Sequence, residues 1–457
     1  MKAFSVAVAF SALFCAGQQA FAAAWDIAGS PTAHDPTLIH VGSTWYLFYT
    51  GQGIQAKTSQ DGHTWSPPEP VFRAPLSWWS TYAPAMGYND VWAPDIHLYR
   101  GTCWLYYAVS SFGSNRSAIG LASASSPAGP WTDRGVVLHS AYPDPYNAID
   151  PDLCFDQAGD PYLAFGSFWN DIYLVKLDPI TMKPAGAPTN IAFRATDPAA
   201  GTLAANSHAA EGAGIVYDDG FFYLFMSWDQ CCQGPGSTYK IVYARASSIT
   251  GPYYDRNGKA SFGSTGVEGA TILDQTDGRW VGPGGQFVYQ DTNGGWLMVH
   301  HAYDASLGGA ATLRIKDLYF HDGWPTYTPY PTVRIRAPAQ GASVTAGVTV
   351  DITADALESV EGSTDGTLRQ VAFYQGSILL GTVTSPPFSL SWTPLLAGTY
   401  ALTAVATDIG GNSTSSSPVV LTARDPAGLK LRASPGPLPK PNAAGPAPGR
   451  GLPSRSP

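Results

Sequence analysis

The sequence predicts an all-β protein: a five-bladed β-propeller, then a small immunoglobulin-like β-sandwich and a disordered Pro-rich tail. Composition is the first reason. The 457 residues include 49 glycines and 38 prolines, 12% are aromatic, and only 13% are charged, against ~25% in an ordinary soluble protein. Such a chain is rich in turns and poor in the Ala, Glu, Lys and Leu of long helices or coiled coils. The second reason is a motif that recurs five times, and the third is a change of texture near Tyr330.

Met1 to Ala24 has the form of a secretory signal. Lys2 precedes a short apolar run from Ala3 to Ala16, and Ala20-Phe21-Ala22 supplies a small-x-small cleavage pattern. The run is shorter than the ~20 residues a membrane span needs. The assignment is therefore a signal peptide over 1–22, no membrane span, and a secreted protein, extracellular or periplasmic. Four cysteines remain after processing: Cys103, Cys154, Cys231 and Cys232. They match no C-x-x-C metal pattern, which favours a structural role, with one disulfide among them. A formal net charge of −9 without a basic stripe excludes a nucleic-acid partner.

The repeat is a short apolar run, a Gly-containing turn, and an aromatic-rich strand. Its instances are Asp35-Pro-Thr-Leu-Ile-His-Val-Gly42 with Thr44–Tyr49, Pro94–Gly101 with Cys103–Tyr107, Asp152–Gly159 with Tyr162–Phe165, Gly214–Gly220 with Phe222–Met226, and Gln286–Gly294 with Trp296–His300. The turn glycines at 42, 101, 159, 220 and 294 lie 59, 58, 61 and 74 residues apart. Each unit reads as a hairpin followed by a second hairpin-like stretch, for example Ala118–Ala122 or Lys240–Ala244. Four strands per unit, five times over, predict the propeller across 23–332.

From 333 to 423 Trp becomes sparse and Val, Thr and Ser alternate, as in Val348-Thr-Val-Asp-Ile-Thr-Ala354 and Thr399–Ala406. Period-two strands over this length predict the sandwich. Tyr374 and Trp392 belong to its core on this reading. Residues 424–457 are rich in Pro, Gly and Ala and predict disorder.

In a propeller the innermost strand of each blade lines the axis, so acids at its start converge on one funnel. Asp35, Asp150 and Glu211 stand just ahead of the first strands of blades 1, 3 and 4. Asp-Pro also initiates turns. Asp95 and Asp152 occupy similar places, with Asp95 the better structural candidate. Trp45, Trp104 and Trp296 sit mid-strand and read as blade packing.

His34-Asp35-Pro36, Trp92-Ala-Pro-Asp95, Phe112-Gly-Ser-Asn115, Tyr146-Asn-Ala-Ile-Asp-Pro151, Phe165-Gly-Ser-Phe-Trp169 and Met226-Ser-Trp-Asp-Gln-Cys-Cys-Gln-Gly234 together resemble the endo-1,5-α-L-arabinanases of glycoside hydrolase family 43, over roughly Trp25 to Pro325. The resemblance implies a monomeric glycosidase that cleaves arabinan, a pectin side chain, with inversion. It makes Asp35 the general base, Glu211 the general acid, and Asp150 the residue that orients the acid and raises its pKa. Trp92, Phe112, Gly113, Asn147, Ser167, Phe168 and Trp169 would line the substrate groove.

Family members often carry a His after Gly-Pro-Gly in the fifth blade, near a hydrated calcium. Here the run is Gly282-Pro-Gly-Gly285-Gln286, so calcium would be held through Gln286 and water. His300 and His301 alternate in direction on the next strand. The competing readings are an exo-acting arabinofuranosidase or xylosidase, and a non-catalytic polysaccharide-binding propeller. A sialidase is disfavoured, because Ser59-Gln-Asp-Gly-His-Thr-Trp65 is a lone, incomplete Asp-box and an arginine cluster is missing.

Overall fold

Alternating apolar runs cut by glycine turns form antiparallel sheets throughout. A computed structural model describes residues 24–87, 90–194, 209–262, 269–357 and 368–426. The expected signal peptide and nearly all of the expected tail lie outside these residues. The chain divides into two units, Met1–Pro329 and Tyr330–Pro457. Among the described residues no helix is long and apolar enough to cross a membrane.

The first unit contains five principal sheets. Blade 1 runs Thr37–Val41, Thr44–Tyr49, Gln55–Ser59 and Glu69–Pro70; blade 2 runs Asp90–Tyr99, Thr102–Val109, Ser117–Ala124 and Thr132–Ser140. Blade 3 is Asp152–Phe155, Pro161–Phe165, Ile172–Lys176 and Thr189–Ala192. Blade 4 is Ala210–Asp218, Phe221–Trp228, Lys240–Ala246 and Thr271–Asp274, and blade 5 is Trp280–Gln290, Trp296–Asp304, Ala310–His321 and Trp324–Thr326. Each first strand packs against those of the preceding and following blades, and the fifth returns to the first, so the sheets close a ring. The N-terminal segment helps hold it shut, because Trp25 N–H bonds Ile315 O and Leu313 N–H bonds Pro31 O across blade 5.

Apolar faces between neighbouring blades form the core. Leu105, Tyr107 and Val109 pack with Phe48 and Trp79 between blades 1 and 2, and Ile215, Leu224 and Val242 pack with Leu174 between blades 3 and 4. Trp45 is buried in such a cluster, and Trp104 and Trp296 border two others. The Asp-box segment is a blade turn: Asp61 accepts the N–H groups of His63 and Thr64 and the hydroxyl of Ser59.

The inner strands are also stitched together by polar side chains. Thr37 Oγ1 accepts Ile96 N–H at 3.2 Å, Asp95 Oδ2 accepts Leu153 N–H at 2.8 Å, and Asp152 Oδ2 accepts Ile215 N–H at 2.9 Å. One position in blades 1, 2 and 3 thus satisfies a buried donor of the next blade, which would otherwise cost roughly 1–3 kcal/mol.

The second unit packs two sheets. Thr332–Ala337, Val350–Leu357 and Phe388–Trp392 form one; the other contains Ser343–Thr345, Leu368–Gln375, Ile378–Val383, Gly398–Asp408 and Val419–Arg424. Ile352, Val371, Phe373, Leu402 and Trp392 are buried in its core, while Tyr374 is only half-buried.

Candidate active site

Where each blade enters the axis the backbone turns through the left-handed region: Asp35 has φ 47°, Ala93 39°, Asp150 53°, Gly212 61° and Gly285 56°. Three of the five are not glycine, and such backbone costs on the order of 1–3 kcal/mol each. Gly285 has a steric reason, since a Cβ there would run into Asp35 Oδ1. The turns aim the flanking side chains into a cleft of about 630 Å³. Glu211 differs from expectation in one detail. It is the second residue of its strand, and the register slips between Glu211 and Gly214.

All three acids line this cleft, as do Trp92, Phe112, Gly113, Asn147, Ser167, Phe168 and Trp169. Phe112 is 81% exposed and meets Trp92 edge-on at 6.5 Å. Phe168 and Trp169 take φ of 52° and 51°. Two of these residues are already committed to protein partners. Asn147 Oδ1 accepts the Ser117 hydroxyl at 2.7 Å, and the Ser167 hydroxyl is donated to Glu211 Oε2. Ser167 therefore acts on Glu211.

Their surroundings push the pKa values of the carboxyls apart. Burial works to raise the pKa of Asp35, but it is outweighed by the charge and hydrogen bond of His34, by His301 and by the Thr50 hydroxyl, which bring it down to about 2. His34 Nδ1 lies 2.8 Å from Asp35 Oδ2, and Thr50 Oγ1 donates to the same oxygen at 2.7 Å. For Glu211 burial dominates. The Ser167 bond and His34 pull its pKa down, Asp35 pushes it up, and the balance is about 7. Asp150 is driven well above the carboxylate range by burial, then by repulsion from Glu211 and Asp35, against one bond from Gly212 N–H at 3.3 Å. Like charges so placed disfavour the ionised form of Asp150.

Gln286 does not fit a direct calcium ligand. Its Oε1 accepts the Ser227 hydroxyl at 2.7 Å and its Nε2 donates to Gly212 O, which leaves a single lone pair on Oε1, too little by itself for calcium, a hard cation that needs several oxygens. No step below passes through a metal. His300 and His301 face opposite ways: His300 lies 3.6 Å from Asp274, and His301 Nδ1 accepts Asp35 N–H at 3.1 Å.

The site contains residues that the sequence reading did not single out. Thr50, Asp90, Tyr239 and Tyr303 line the cleft but stand in no pattern that marks them. His34 lay beside Asp35 in a motif and was signalled only by adjacency. Cys231 and Cys232 also line the cleft and are bonded to each other, whereas Cys103 and Cys154 are buried free thiols.

A ring of blades that gathers three acids with separated pKa values in an aromatic-flanked cleft fits a glycoside hydrolase. Comparison with known proteins agrees. Residues 29–325 match Glycosyl hydrolases family 43, and residues 331–404 match a bacterial Ig domain. The chain belongs to glycosyl hydrolase family 43. It is 47% identical over 328 residues to an extracellular endo-α-(1→5)-L-arabinanase of Bacillus subtilis, covering 71% of this chain and 96% of that protein. It is 36% identical over 301 residues to an extracellular exo-α-(1→5)-L-arabinofuranosidase of Cellvibrio japonicus, covering 64% of this chain and 85% of that protein. The solved structure of a family 43 endo-arabinanase from Bacillus licheniformis superposes with a TM-score of 0.60 at 48% identity, covering 66% of this chain and all of the other.

Proposed function

We propose that this protein is an extracellular endo-acting arabinanase that hydrolyses internal α-1,5-arabinofuranosyl linkages with inversion. The observation that carries the reading is the pair of separated pKa values in one cleft: Asp35 at about 2 and Glu211 at about 7. Between those values one group can accept a proton while the other donates one. Asp35 takes a proton from water as it attacks the anomeric carbon, and Glu211 gives its proton to the departing glycosidic oxygen. Inversion requires space for that water, with carboxyls about 6.5–9.5 Å apart. Asp150 orients Glu211 and, by its proximity, keeps the pair from ionising fully. Trp92, Phe112, Phe168 and Trp169 offer flat faces to the sugar rings.

Endo action is supported by the identities to the two Bacillus endo-arabinanases, which exceed that to the Cellvibrio exo-enzyme. The same reading has residues 1–22 direct export, a monomer act on arabinan side chains of pectin, and residues 333–423 form a module separate from catalysis.

The test is reducing-sugar release from linear arabinan, with product lengths and the anomer first formed. Intact protein releases oligosaccharides of inverted configuration, and Asp35→Ala loses on the order of 10³-fold in rate, within the range for a missing acid–base group. Undiminished release by the variant would remove Asp35 as base. Arabinose as the sole early product would make the enzyme exo-acting, and no release by the intact protein would leave a binding propeller.

A further inference from the structure

Tyr303 projects from the second strand of blade 5 into the cleft, and its phenolic oxygen is unusually crowded with donors. Cys232 N–H donates to it at 2.8 Å. His301 Nε2 lies 3.3 Å away, and His34 Nε2 lies 2.9 Å away. Counting protons shows what this forces. His301 Nδ1 accepts Asp35 N–H, and burial together with nearby His34 pulls the His301 pKa well below its ordinary value. His301 is therefore neutral and carries its one proton on Nε2, pointing at Tyr303. With Cys232 N–H, and with the Ser237 hydroxyl also directed at Tyr303, the acceptor capacity of the phenol oxygen is taken up. The Tyr303 proton then has His34 Nε2 as its partner, so His34 must carry its own proton on Nδ1, where Asp35 Oδ2 waits at 2.8 Å.

We propose that Tyr303, anchored by the Cys231–Cys232 loop, is a positioning residue that fixes His34 as the Nδ1–H tautomer and through it aligns the Asp35 carboxylate. The proposal rests on Asp35 being the base and adds a residue chain that sets its direction. The bond between adjacent cysteines closes a small ring through their shared peptide, and Cys232 holds φ at 67°. That ring is what presents Cys232 N–H to the phenol. Cys232 Sγ itself lies 3.7 Å from His34 Nε2. Stacking of His34 on His301, with ring centroids 3.9 Å apart, keeps the imidazole plane from turning. Burial opposes a second proton on His34, but Asp35, Glu211 and Asp90 outweigh it and raise the pKa of the ring, and it is the charged ring that holds Asp35 lowest. A phenol oxygen already saturated with donors opposes that second proton, because an imidazolium Nε2–H would find no acceptor there.

The experiment uses full-length protein with 15N-labelled histidine, reading the His34 ring nitrogens by long-range 1H–15N correlation at neutral pH, alongside kcat and KM on linear arabinan. The expected wild-type signature is a neutral Nδ1–H ring. Tyr303→Phe keeps the aromatic packing but removes the oxygen. His34 then shows a tautomer mixture or an imidazolium, and kcat falls by about 10- to 100-fold, as for a misaligned catalytic group, with KM little changed. Reduction of the native enzyme by a phosphine, verified by the appearance of two new thiols, moves the His34 signals in the same direction. A wild-type His34 that is protonated on Nε2 would overturn the proposal. So would His34 signals that are the same in the wild type and Tyr303→Phe, or that are unmoved by complete reduction. Asp35→Asn separates the two readings: if it kept the wild-type rate, the base assignment would fall while the measured tautomer stood or fell by itself.

Discussion

Asp150 and Asp152 stand two residues apart on the same entry to blade 3, and their surroundings assign them to different work. Asp152 Oδ2 is committed to Ile215 N–H of the next blade, as Asp95 Oδ2 is to Leu153 N–H. Asp150 and Asp35 sit one level higher, at left-handed residues where the axis opens into the cleft. Asp150 takes only a 3.3 Å bond from Gly212 N–H. The lower ring of polar groups holds blades together, and the upper one faces the cleft. A propeller can therefore use the same residue type at neighbouring positions for stability and for chemistry. Both aspartates accept a backbone N–H of blade 4, Asp152 at 2.9 Å and Asp150 at 3.3 Å; what separates them is that Asp150 also opens onto the cleft.

The largest effect that would break this division concerns the upper ring. Glu211→Gln is expected to lower turnover by about 10²- to 10⁴-fold and leave thermal melting nearly unchanged. Asp152→Ala should do the reverse: it orphans Ile215 N–H and lowers stability by about 1–3 kcal/mol, with turnover per folded molecule retained. Initial rates and melts on both variants decide the matter, and a dead but stable Asp152→Ala would erase the distinction.

A finer test lies in the pH profile. On the proposed mechanism activity needs Asp35 ionised and Glu211 protonated, so kcat/KM should rise as pH climbs through about 2 and decline as it passes about 7. The Ser167 hydroxyl stabilises the Glu211 anion and so lowers its pKa. Ser167→Ala removes that support and shifts the alkaline limb to higher pH, measured by kcat/KM across a buffer series; an unmoved limb would make Glu211 the wrong acid.

The smallest expected change comes from the second unit. Truncation after Pro329, at the division between the units, should leave kcat and KM on soluble linear arabinan within about twofold, because every cleft-lining residue lies before that point. A larger loss would tie the sandwich to catalysis.

Much of this was legible in one dimension. Glycine turns at near-regular spacing mark the hairpins, because a tight turn needs backbone that glycine adopts freely, and alternating apolar residues mark the faces between blades. Motif order brought Asp35, Asp150, Glu211 and the aromatic flank to notice. Sequence could not separate Asp150 from Asp152 by mechanism, nor show that Ser167 serves Glu211 rather than a sugar. It was silent on Thr50, which meets Asp35 across the blade 1 hairpin, and on Tyr303, which comes from blade 5 and meets His34 only after the ring closes. Gln286, which the resemblance offered as a calcium contact through water, bonds the Ser227 hydroxyl and Gly212 O in space.

The amino-acid order by itself determined the β class, the five-fold repeat, the change to a second module and the acids on offer. It could do so because those properties depend on local turn geometry and on the period of apolar residues. The tertiary structure decided how far each acid's pKa moves and which neighbours hold it: His34 and Thr50 within blade 1, His301 across the closed ring. Charge, burial and hydrogen bonding act through space, between residues as far apart in the chain as Asp35 and His301.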